Sequence, residues 1–334
     1  MKRNLQKANE ILESISKQNK NITPITPKDY DLFNEFFAKE PHTYGNSWSY
    51  IIQGMYGLGE NNLGYKYYDG ENLSAISIHP KIEKPEQLAM YFVRPMGKGI
   101  MKIIAELGKN YKQEFDLQIY AKKLFKNQYD EIMALGFKDI KENPWHSLAI
   151  AEDDTYPEIM YDPKSILDDI EKAPRKVNIK KNYNRIQNLL DTLNIRISSD
   201  NFEKNAWMIT KKFFQEEERK KNKYNFSDEY DYYNLIFNTD HDKTIEKKIV
   251  FIDGEALGYY FLEKQNTDIS CAYALITLHN KHKYLADLIY FHIFSKNKNS
   301  NYLNFGGSED IGLQTFKTKF SPFTTQQLFW ATLI

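Results

Sequence analysis

The sequence predicts a mixed α/β (α+β) fold made of two tandem copies of one unit, each a central mixed sheet flanked by helices. Three observations carry this expectation. Helix-like and strand-like stretches alternate through "LAMYFV", "IMKIIAELGKN", "FDLQIYA" and "NQYDEIMALGF", and such alternation marks a mixed architecture. The chain also echoes itself, since "DGENL" at 69–73 returns as "DGEAL" at 253–257, an offset of 253 − 69 = 184. Finally, "EDDTYPEIMYDPKSILDDIEKAP" is rich in acids and prolines and reads as a junction.

Taken in order, Leu5, Ala8, Leu12 and Ile15 fall at helical spacing, and "TPKDYDLFNEFFAKE" opens a second helix with Thr26 as N-cap and Pro27 at its first position. An aromatic, glycine-rich stretch follows, then "YKYYDGENLSAISI", which reads as an antiparallel hairpin. The offset of 184 then sets "IMKIIAEL" beside "YLADLIYF" as helices and "FDLQIY" beside "NSNYLN" as strands. It brings "DEIMALGF" within one residue of "LQTFKTKF". Four elements of matching type in matching order indicate duplication, with a first unit at 1–160 and a second at 161–334; one large irregular domain is the alternative. The closing "QLFWATLI" is expected to be a core strand completing the second unit.

Composition narrows the functional classes. The 334 residues, 41% hydrophobic, suffice for more than one core, and Lys plus Arg equals Asp plus Glu at 45 each, so bulk attraction to a polyanion is not expected. Cys271 is the lone cysteine, which excludes a disulfide framework or cysteine metal cluster. His279 and His282 lack a third ligand nearby, so no metal site is expected. No run approaches the roughly 18 apolar residues of a membrane helix, and a cytoplasmic protein is the expectation. Arg175, Lys176, Lys180, Lys181 and Arg185 form a basic helical run that either faces solvent or holds tRNA or nucleotide phosphates.

In the first half, "YFVRPMGKGIMKIIAEL" followed by "NQYDEIMALGF" resembles the GNAT superfamily of N-acyltransferases. Arg94, Gly97 and Gly99, with Lys98 between the glycines, stand at the R-x-x-G-x-G positions, which the resemblance implies receive the pyrophosphate of an acyl-CoA co-substrate. Glycines let backbone N–H groups approach phosphates, and a helix N-terminus adds positive potential. Pro95 supplies no N–H, and Ile132 stands where a catalytic tyrosine is expected.

The second half, with "APRKVNIKKNYNRIQNLL" and "IVFIDGEALGYYFLE", resembles the Fem aminoacyltransferases and the related phosphatidylglycerol lysyltransferases, themselves tandem GNAT proteins. Its F-G-G…G-L-x-x-F-K pattern is Phe305, Gly306, Gly307, Gly312, Leu313, Phe316 and Lys317, and the resemblance implies that Lys317 points at the reacting carbonyl. Tyr284 stands where an acyl-CoA enzyme needs a glycine.

Physical chemistry makes the same residues candidates. At about 100° per residue, Leu313, Phe316 and Phe320 share a helix face, with Lys317 about 70° from its centre and Lys319 about 90° to the other side. That geometry leaves Lys317 the better placed to reach inward, where it could stabilise a developing oxyanion, with Lys319 on the surface; the alternative is that Lys317 too is a solvated lysine and Glu309 or Asp310 merely caps the helix. Gly306 and Gly307 would let a donor lie against bare backbone, and Glu309 or Asp310 could accept the proton of an attacking amine. The expected function is an N-acyltransferase acting by direct attack on an amine acceptor, with no permanently bound cofactor and acyl-CoA or aminoacyl-tRNA as donor. The alternative is a binding protein that kept the fold without the chemistry.

Overall fold

A computed structural model describes residues 2–53, 64–80, 86–140, 157–174, 178–221, 245–265, 268–278, 281–299, 302–308 and 311–333. In chain order the elements are α1 (Lys2–Gln18), β1 (Ile22–Pro24), α2 (Tyr30–Lys39), α3 (Trp48–Gln53), β2 (Gly64–Tyr68), β3 (Leu73–Pro80), β4 (Leu88–Met96), α4 (Ile100–Phe115), β5 (Gln118–Leu124), α5 (Lys126–Ala134) and β6 (Lys138–Asp139). There follow β7 (Glu158–Tyr161), α6 (Pro163–Lys172), α7 (Asn178–Thr192), β8 (Ile195–Ser198), α8 (Phe202–Lys221), β9 (Ile245–Ile252), β10 (Glu255–Lys264), β11 (Ile269–Thr277), α9 (Leu285–Lys296), β12 (Tyr302–Asn304), α10 (Ile311–Thr318), β13 (Thr324–Gln326) and β14 (Phe329–Leu333).

Two sheets of one topology result. The first runs β1-β2-β3-β4-β5-β14-β6, and the second, in matching direction, β8-β9-β10-β11-β12-β7-β13. In each, the parallel contact is at the same place, β4 with β5 and β11 with β12, while β1 to β4 and β8 to β11 pair antiparallel. The repeated triplets lie at equivalent hairpin turns: Gly70 has φ +99° between β2 and β3, and Asp253 and Gly254 have φ +50° and +84° between β9 and β10. A tight hairpin demands this left-handed backbone, which glycine adopts without steric penalty.

In the first unit, β4 is buried along its whole length, because alternate residues face two cores. Met90 and Phe92 share one core with Leu12 and Ile15 of α1 and Ile104 of α4, while Tyr91 and Val93 share the other with Phe33 and Phe37 of α2 and Trp48 of α3. In the second unit, α8 packs on β9, β10 and β11, and α6 and α7 pack on α9. Helix α9 is buried on nearly every side, as an all-round apolar helix must be. Its Tyr290 and Phe294 stack among Tyr161, Phe305 and Phe320.

The sixth strand of each sheet corrects the expected boundary. Strand β14 pairs with β5 and β6 of the first sheet, and β7 pairs with β12 of the second. The terminal "QLFWATLI" therefore does not close the second unit. The first compact unit comprises Met1–Glu158, Gly307–Gln314 and Thr325–Ile334, and the second Ile159–Gly306 and Thr315–Thr324. The physical reason is that β14 fills both cores of the first unit, Ala331 and Leu333 entering one and Trp330 the other. Such burial contributes roughly 1.5–3 kcal/mol per large apolar side chain.

Trp330→Ala should accordingly lower stability in urea unfolding by about 3–5 kcal/mol. In hydrogen exchange the lost protection should fall on β5 of the first unit, residues 118–124, and not on β12, which a contiguous 161–334 unit would predict.

Candidate functional site

In the second unit, β12 runs parallel to β11 up to Cys271↔Asn304 and then leaves the ladder. Gly306 takes φ +65° and donates its N–H to Asn304 Oδ1 at 2.8 Å, a conformation suited to glycine. Lys317, reaching in from α10, is 6% exposed and donates from Nζ to Phe305 O at 2.8 Å and Gly306 O at 3.4 Å. The structure thus brings Lys317 and Gly306 together, and the ammonium is aimed by two carbonyls at the strand end. Gly307 follows, half-buried, while Glu309 and Asp310 lie outside the described residues.

Tyr161, which sequence reasoning passed over, anchors α10 by donating from its hydroxyl to Lys317 O at 2.8 Å. Burial pushes its phenol well up, Tyr290 adding to the effect, so it stays a neutral donor. Phe316 packs edge-on against Tyr290, and Phe320 stacks on it at 4.7 Å. Leu313 instead stands 36% exposed, so the inward face is narrower than expected.

The expectation of a solvated Lys319 is also corrected. Its Nζ lies 2.7 Å from Asp287 Oδ1 on buried α9, an ion contact without the alignment of a hydrogen bond, and 3.8 Å from the Phe316 ring centroid. A buried carboxylate needs a counter-charge, and Lys319 supplies it.

In the first unit, the R-x-x-G-x-G residues gather at the turn from β4 to α4, with Lys98 exposed. Arg94 is fully buried with φ +49°. Its Nε donates to Asn46 Oδ1 at 2.6 Å, Nη1 to Pro95 O at 3.2 Å and Nη2 to Pro41 O at 3.3 Å, with Glu40 at 3.9 Å. Gly97 N donates to Glu40 Oε1 at 3.1 Å and Gly99 N to Asn72 Oδ1 at 3.0 Å. Burial pushes Arg94 down to about 10, against the pull of Glu40 and Glu158.

Beside it, Glu158 accepts from Thr43 Oγ1 at 2.8 Å, Tyr44 N at 2.7 Å and Lys123 Nζ at 3.3 Å. Lys123 has φ +62° directly after the last β4–β5 pair, Val93↔Lys122, as Arg94 does on the neighbouring strand. His42 is pushed down to about 4, chiefly by burial, with Glu158 opposing and Arg94 assisting. Sequence reasoning missed this network because its members are scattered from residue 40 to 158 without periodic spacing.

No protein-family model matches the chain, and no curated protein sequence matches it. Solved structures do match. A protein of unknown function from Bacteroides thetaiotaomicron VPI-5482 has TM-score 0.70 at 13% identity, over 94% of this chain and 99% of that one. L-PGS from Bacillus licheniformis has TM-score 0.58 at 11% identity, over 92% of each chain. A tandem GNAT protein from the clavulanic acid biosynthesis pathway has TM-score 0.51 at 7% identity, over 93% of this chain and 97% of that one. The fold is a tandem GNAT fold. Among the described residues no helix is long and apolar enough to cross a membrane.

Two outcomes follow. His42 binds protons more readily unfolded, at the ordinary value near 6.5, than folded, at about 4. Stability is therefore intact above pH 6.5 and falls as pH drops towards 4, by up to about 3 kcal/mol; His42→Gln should flatten that slope in urea titrations. Lys319→Ala should cost about 1–3 kcal/mol by stranding Asp287, and Asp287→Asn in the same chain should recover part of the loss.

Proposed function

We propose that the protein is an N-acyltransferase that moves an acyl or aminoacyl group onto an amine acceptor, with chemistry at the strand end of the second unit. The observation that carries the reading is Lys317, buried on α10 and held by the carbonyls of Phe305 and Gly306. The fold shared with a tandem GNAT protein and with L-PGS supports it.

The reaction needs no covalent enzyme intermediate. The amine lone pair attacks the acyl carbonyl carbon, and the carbonyl π electrons move to oxygen, where the Lys317 ammonium offsets the negative charge. Collapse re-forms the carbonyl and breaks the bond to the leaving thiolate or alkoxide, which takes up the proton released by the amine. Glu309 or Asp310 would relay that proton. One such donor to an oxyanion typically contributes about 3–4 kcal/mol to the transition state, and holding both substrates side by side contributes further. The donor is an acyl-CoA or an aminoacyl-tRNA. Tyr284 at the start of α9, where a pyrophosphate-binding turn needs glycine, favours the second.

Donor choice is read by thermal denaturation with acetyl-CoA and with lysyl-tRNA. The true donor should stabilise by about 2.7 kcal/mol at a hundredfold excess over its dissociation constant, and stabilisation by neither would leave the protein as a non-catalytic binder. With the donor known, Lys317→Ala should lower turnover at least about a hundredfold while donor affinity is kept. Lys317→Arg should not rescue it, because a planar guanidinium does not fit where a compact ammonium points.

A further inference from the structure

The glycine turn of the first unit has the backbone of a phosphate cradle, yet the N–H groups of its two glycines already have acceptors. Glu40 Oε1 takes the N–H of Gly97, and Asn72 Oδ1 takes that of Gly99. The arginine of the motif is spent as well, since all three guanidinium nitrogens bond to Asn46, Pro41 and Pro95 in a site closed to solvent. Even the glycines serve a different neighbour. A Cβ on Gly97 would meet Glu71 O at 2.4 Å and Asn72 Cα at 2.9 Å, with φ already at +103°. Gly97 is therefore glycine because the β2–β3 hairpin turn lies on it.

We propose that the first unit is a closed copy of a donor site, in which the carboxylate of Glu40 and the amide of Asn72 stand where phosphate oxygens would be. An anion at this turn would have to expel a carboxylate that accepts the Gly97 N–H and lies 3.9 Å from buried Arg94. It would also have to dislodge Asn72, whose Nδ2 donates to Asp69 at 3.1 Å and whose N–H donates to the same carboxyl at 2.8 Å.

The chain carries its own comparison. Asp69-Gly70-Glu71-Asn72 returns at the offset of 184 as Asp253-Gly254-Glu255-Ala256. The position that differs is the one whose amide shuts the first turn. Ala256 has no such group, so the second hairpin cannot ligate its turn in this way. Acyl-CoA pyrophosphate consequently does not fit the residues at Arg94, Gly97 and Gly99. The proposal goes beyond the reaction assigned above and stands whether or not that assignment holds.

Hydrogen exchange on the full chain tests it, read on peptides covering 96–102 and 281–288. In the wild type the amides of Gly97 and Gly99 should exchange slowly, and millimolar acetyl-CoA or inorganic pyrophosphate should leave them unchanged. Glu40→Gln should speed exchange at Gly97 and Asn72→Ala at Gly99, each by about tenfold, the equivalent of one hydrogen bond of 1.4 kcal/mol. Either single variant suffices should the other fail to fold. Slowing of 96–102 by acetyl-CoA or pyrophosphate in the wild type would overturn the proposal, as would exchange there as fast as in the variants. Protection by acetyl-CoA confined to 281–288 supports it. An unchanged 96–102 with no protection anywhere also supports it, while removing acyl-CoA from the proposed function.

Discussion

Most of the architecture follows from a requirement on one strand in each sheet. Strands β5 and β12 run parallel to their predecessors on one side, which leaves the other side as an open row of backbone donors and acceptors. An exposed edge of that kind invites pairing with any passing chain. Here each edge is covered antiparallel by a strand from the far part of the sequence, β14 for β5 and β7 for β12. The discontinuous make-up of both units is a direct consequence.

Both copies bury cations, each held by named partners. In the first, Arg94 and Lys123 face Glu40 and Glu158, with every guanidinium nitrogen bonded, so the opposite charges answer one another locally. Such a network is expensive to desolvate and, once complete, offers little to a ligand. In the second, the Lys317 ammonium donates to the carbonyls of Phe305 and Gly306, and a donor fixed in place in this way is what preorganised electrostatic catalysis requires.

The fold was legible wherever period and repetition carried the signal. The alternation, the offset of 184 and the two hairpin turns all have counterparts in the structure, because they arise from local backbone geometry and from burial on defined faces. The exchange of β7 and β14 was not legible: "QLFWATLI" states that a strand exists but not which sheet owns it, since pairing across some two hundred residues leaves no local trace. The inward aim of Lys317 could be read from helical angle alone. The pairing of Lys319 could not, as it depends on Asp287 of another helix. Arg94, Gly97 and Gly99 looked like a ligand motif because such a turn has the same residues whether its acceptors come from a nucleotide or from Glu40 and Asn72.

The strand exchange also sets a timetable for synthesis. Between the end of β5 at Leu124 and the start of β14 at Phe329 lie 329 − 124 = 205 positions. At roughly 5–20 residues per second, a ribosome takes about 10–40 s to cover them. Throughout that interval the nascent first sheet lacks β14 and, with it, the partner of β6, so its central parallel pair can form while the flank of β5 stays bare. The long pause between making an edge and making its cover is the period in which neighbouring nascent chains on a crowded polysome could join through β5, and in which a chaperone would have most to shield.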